Sequence, residues 1–143
     1  MATVRASIGL SSRSGDLVSD AIDISLTKEI TITDMATTGL ARAKVQATAV
    51  HATATILYTA DDYAAGLYIY IKNTAASATE YIWVYDDTTS GDPVILKMAG
   101  GDFAFMPLKG DRTLKAYAPS GNNPFIEWMV FGSEVVPVRI LLY

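Results

Sequence analysis

His51 is the chain's one histidine, and it limits the chemistry on offer. A metal site built on imidazoles needs at least a pair, and a Ser-His-Asp arrangement would have to gather around this single ring. His51 sits in an alternating Thr/Ala stretch, where a lone histidine is ordinarily a packing or surface residue. Cysteine is absent, which removes thiolate nucleophiles, thiolate metal ligands and disulfides. Ser and Thr are plentiful, but no G-x-S-x-G elbow holds a nucleophile on a strained turn. Neither a P-loop nor a G-x-G-x-x-G follows a strand, so nothing in the sequence supports nucleotide binding. The expectation is a protein with no catalytic residues, no cofactor and no metal.

Two acidic pairs, Asp61-Asp62 and Asp86-Asp87, are the remaining polar candidates. Paired carboxylates could ligate Ca²⁺, a hard cation that collects several oxygens, or serve as a glycosidase acid and base. Neither pair lies in a D-x-D-x-D-G loop. Aspartate also favours turns because its carboxylate accepts hydrogen bonds from nearby backbone amides. Turn chemistry is the simpler reading; Ca²⁺ and acid–base use are the alternatives.

The aromatic residues point to binding rather than reaction. In Leu67–Lys72, Leu67, Ile69 and Ile71 alternate with Tyr68 and Tyr70; in Tyr81–Tyr85, Ile82 and Val84 alternate with Tyr81, Trp83 and Tyr85. Side chains on a strand point to opposite faces in turn, so each segment is apolar on one face and aromatic on the other. The two segments read as a hairpin joined by the polar loop from Asn73 to Glu80. A sandwich strand needs only one buried face. The second face then calls for a cover: the chain's own loops, a neighbouring subunit, or a flat ligand such as a sugar. Tyr and Trp suit interfaces because they bury large area while keeping a polar tip. The expected interface residues are therefore Tyr68, Tyr70, Tyr81, Trp83 and Tyr85. Val138, Ile140 and Leu142 join them from the apolar run 135–143, whose exposed edge would invite aggregation unless paired.

The elements that must position these residues are strands. Residues 1–16, rich in Ser, Gly and Arg, read as a loose arm or an edge segment rather than core, one that could dock onto a neighbour. Ile22, Ile24 and Leu26, then Ile30 and Ile32, alternate with polar residues and suggest two strands broken near Thr27-Lys28-Glu29. Two further strands are expected at about 40–49 and 51–59, and Asp61-Asp62 marks a turn. Strands follow at 94–97, 102–108, 113–118, 125–131 and 135–143, separated by Gly-, Asp- and Pro-containing turns. Eight to ten short strands with turns every 8–15 residues indicate an all-β, antiparallel β-sandwich or jelly-roll-like domain over residues 17–143.

Composition bounds the rest. The chain has 143 residues, half of them apolar, enough for a core without cross-links. Eleven Lys and Arg are scattered against fifteen Asp and Glu, for a net charge of −4, which argues against a nucleic-acid partner. No run is long and apolar enough for a membrane helix, and Met1–Arg5 lack the apolar stretch of a secretory signal.

Several segments carry a resemblance. Tyr70-Ile71-Lys72-Asn73, the strand Gly101 to Pro107 (of the form G-[DE]-F-A-F-[ML]-P), Leu114–Ala118, and Glu127-Trp128-Met129-Val130-Phe131-Gly132 resemble small virion structural proteins of tailed phages. The likeness spans about residues 60–132 and rests on core aromatics and turns. It implies a β-sandwich seated on a capsid or in a tail as a symmetric oligomer, with the major capsid protein or other virion proteins as partners and no catalytic residue to carry over. The resulting expectation is a capsid decoration or cement protein assembled in the host cytoplasm. A tail-fibre or carbohydrate-binding module is the alternative.

Overall fold

A computed structural model of the chain describes residues 2–13, 22–32, 35–45, 54–63, 66–88, 91–119 and 124–133. Among them every regular element is a strand: β1 (Ala2–Ser12), β2 (Ile22–Ile32), β3 (Met35–Thr37), β4 (Ala41–Lys44), β5 (Thr55–Tyr58), β6 (Leu67–Asn73), β7 (Ile82–Asp86), β8 (Val94–Met98), β9 (Phe103–Leu108), β10 (Leu114–Tyr117) and β11 (Phe125–Ser133). The all-β, antiparallel expectation holds, with eleven strands in place of eight to ten. The run 135–143 and His51 lie outside the described residues.

The chain divides into two compact units, 1–34 and 35–143. The division falls well beyond residue 16, where the sequence suggested that an arm would end. In the first unit β1 and β2 pair antiparallel over eleven residues each, from Ala2 opposite Ile32 to Ser12 opposite Ile22. Residues 2–12 are thus a regular strand and not a loose arm. The break expected at Thr27–Glu29 is also absent. Leu26 and Ile30 are four residues apart, so the alternation keeps its phase through Lys28, which takes an apolar-face position opposite Ala6.

The second unit is a sandwich. One sheet runs β5-β10-β7-β8; the other runs β3-β11-β6-β9, with β4 pairing β11 as well. β3 meets β11 at Phe131–Ser133 and β4 meets it at Phe125–Trp128, so these short strands follow one another along one side of β11. Inward side chains from both sheets make one core: Leu67, Ile69, Ile71, Ile126 and Val130 from one, Ile82, Val84, Leu114 and Ala116 from the other. The Trp128 indole N–H crosses the core to donate to the Leu57 carbonyl at 3.1 Å.

The fold departs most from expectation at β6 and β7. They do not form a hairpin. β6 is flanked by β11 and β9, whereas β7 is flanked by β10 and β8 in the other sheet. Residues 74–81 therefore cross from one layer to the other. Asn73 holds this crossing. Fully buried, it donates from Nδ2 to the carbonyls of Glu80 (2.7 Å) and Met98 (3.1 Å) and accepts at Oδ1 from the Ala75 N–H (3.1 Å). Gly100 packs against the same crossing, where a Cβ would strike the Ser77 carbonyl oxygen.

The exposed edges are blunted. On β8, Val94 pairs Tyr85 and Leu96 pairs Val84, which leaves Ile95 as a bulge residue with no direct partner. On β9, the outermost described strand of its sheet, Pro107 pairs Tyr68, an edge position of the kind that proline tolerates.

Candidate interaction surfaces

The predicted aromatic residues fall into two separate sets. Because β6 and β7 belong to different layers, Tyr68 and Tyr70 project from the outer face of one sheet, and Tyr81, Trp83 and Tyr85 from that of the other. On the first sheet, Tyr68 lies opposite Phe131 on β11 and Pro107 on β9. Its ring stacks on Phe105 (5.7 Å, 9°) and on Phe131 (5.9 Å, 19°). Tyr70 donates from its hydroxyl to Glu127 at 3.1 Å. Burial, followed by this carboxylate, raises its pKa.

On the second sheet, Trp83 lies opposite Tyr117 on one side and Lys97 on the other. Tyr117 meets the indole edge-on at 5.4 Å and meets Tyr85 likewise at 5.6 Å. The Lys97 ammonium sits 5.4 Å from the Trp83 ring centre and 5.0 Å from that of Tyr81, within cation–π range. The indole N–H of Trp83 is buried without a hydrogen-bond partner among the described residues. Tyr85 is fully buried. Burial, with Asp87 and Asp92 nearby, pushes its hydroxyl up to about 12.

These contacts revise the expected interface. Tyr68, Tyr70, Tyr81 and Trp83 are half-buried among partners from their own sheets, and Tyr85 is closed to any partner. The need for a cover from beyond the sheet rested on a hairpin of β6 and β7 with two apolar or aromatic faces, and β6 and β7 do not pair. Val138, Ile140 and Leu142 lie outside the described residues.

The acidic pairs do turn and ion-pair work. Asp61 has φ 64°, in the left-handed region, and its N–H donates to the Gly110 carbonyl at 2.7 Å. The Asp86 carboxylate accepts from the Thr88 N–H at 2.8 Å, closing an Asx turn, and also meets Arg112 at 3.5 Å. Asp87 pairs with Lys115 at 2.6 Å. No group of acidic and histidine side chains suited to a metal occurs among the described residues. A cleft of about 180 Å³ lies beside Asp61, Tyr63, Lys109, Gly110 and Asp111. It is smaller than the roughly 300 Å³ at which small-molecule sites begin, and Lys109 is already paired with Asp111 at 3.0 Å.

No family model matches the chain, and no curated protein matches it. Among solved structures, a chain from the disulfide-linked pili of Bacillus endospore appendages is similar at 14% identity, over 71% of this chain and 90% of that one, with a TM-score of 0.46. The present chain has no cysteine and so forms no disulfide.

A surface that the sequence reading missed lies on the β1–β2 ribbon. The register sets Val4, Ala6, Ile8 and Leu10 on the same face as Ile24, Leu26, Ile30 and Ile32, interrupted by Lys28. The opposite face carries Thr3, Arg5, Ser7, Gly9 and Ser11 against Thr31, Glu29, Thr27, Ser25 and Asp23. Arg5 and Glu29, directly opposed, form an ion pair at 2.5 Å. Ile30 and Ile32 are buried, but Ile8 (44%), Leu10 (56%), Ile24 (44%) and Leu26 (61%) are exposed. The signal was present as an apolar residue at every even position from 2 to 10, obscured by the Ser, Gly and Arg between them.

Proposed function

We propose that this protein is a non-enzymatic structural subunit that works as one copy among many in a larger assembly. In its specific form, it is a capsid decoration protein of a tailed phage, assembled in the host cytoplasm and bound as a homo-oligomer to the major capsid protein. The observation that carries the general reading is the ribbon's exposed aliphatic face. Isolated two-stranded ribbons are marginal in water, and their apolar side normally requires a packing partner. The aromatic outer faces of the sandwich supply neighbours for their own rings, so the ribbon is where association would gain most. The specific form is supported by the phage-like strands around Gly101–Pro107 and Glu127–Gly132.

Such a protein acts by mass action. A subunit that binds only the assembled shell stabilises it by RT ln(1 + [L]/Kd), and many weak contacts combine through avidity. Electron microscopy of particles from the source virus, with mass spectrometry of their proteins, tests this. The expected result is this chain in stoichiometric amount at symmetry-related positions on the shell. Its absence from purified particles would end the virion reading, and a position on the tail would favour the receptor-binding alternative.

A carbohydrate-binding role rests on Tyr81 and Trp83, half-exposed beside each other. A sugar stacking there would have to displace Lys97 from both rings. A tryptophan fluorescence titration with polysaccharides checks it, and an unchanged spectrum would remove it.

A further inference from the structure

We draw no further inference here: the strongest candidate, the exposed patch of Phe103 and Phe125 beside Lys72 and Lys44 at one end of the outer face of the β3-β11-β6-β9 sheet, carries nothing because nothing among the described residues shows what covers it.

Discussion

The β1–β2 ribbon and the β6–β11 core of the sandwich are built from the same alternation, yet one is finished and the other is not. In β6, Leu67, Ile69 and Ile71 are wholly buried, because the opposing sheet supplies Ile82, Val84, Leu114 and Ala116. Even the outward Tyr68 finds stacked rings on both sides. In the ribbon, Ile8, Leu10, Ile24 and Leu26 occupy equivalent alternating positions but stand about half exposed. Period two makes a strand amphipathic; only a second layer turns the apolar face into a core. Among the described residues nothing supplies that second layer over Ile8, Leu10, Ile24 and Leu26.

Mutations can break that contrast. The largest effect is expected from Ile69→Ala, whose side chain lies between Val130 and Met106 on the inner face. It should cost about 2–5 kcal/mol in urea unfolding, the range for a buried Ile truncated in a packed core. Leu10→Ala in the dilute monomer should cost less than about 1 kcal/mol, because most of its side chain never left water. Equal losses at the two positions would show that the ribbon is packed as the sandwich is.

Asn73→Ala should follow, at roughly 2–3 kcal/mol, since it removes three hydrogen bonds made by a fully buried amide. Asn73→Asp keeps the acceptor for Ala75 but loses both donated bonds, so it should not rescue. A rescue by Asp would mean that the crossing between layers does not depend on the amide.

Alkaline pH offers a smaller probe of the sandwich alone. The Tyr85 hydroxyl titrates near 10 when unfolded and at about 12 in the fold. The unfolded chain therefore loses its proton first. The contribution to stability is complete below pH 10 and declines as pH rises toward 12, by up to about 1.4 kcal/mol per pH unit. Tyr85→Phe should flatten that part of the stability–pH profile, and a profile unchanged by the substitution would rule out this proton as its source. The smallest effect belongs to the ribbon's polar face: Arg5→Ala, which breaks an exposed ion pair, should cost less than about 1 kcal/mol. A larger loss would mean that this face is also buried in an assembly.

Much of the strand pattern was legible because burial on one face leaves a period-two trace. The positions of β8, β9, β10 and the start of β11 follow from such runs and the turns between them. β3 was missed, since three residues cannot display a period. β1 was missed because Ser and Gly between its apolar residues resemble the composition of a loop, although the even positions alternate without a break. Lys28 looked like the end of a strand because one charged residue can take an apolar-face position without shifting the phase. Asn73 passed as a loop residue, and its role depends on carbonyls 7 and 25 residues away. Short-range patterns carry no trace of such partners.

What the sequence determined alone is that each strand has two unlike faces, that turns separate the strands, and that the chain holds one histidine and no cysteine. What only the tertiary structure decided is which strand lies beside which. An eight-residue connection between two apolar strands can close a hairpin or cross to the facing sheet, and the alternation is identical in both cases. Here the chain crosses, which parts Tyr68 and Tyr70 from Tyr81, Trp83 and Tyr85, and gives most of those rings neighbours from their own sheets. On the ribbon, Ile8, Leu10, Ile24 and Leu26 remain exposed among the described residues.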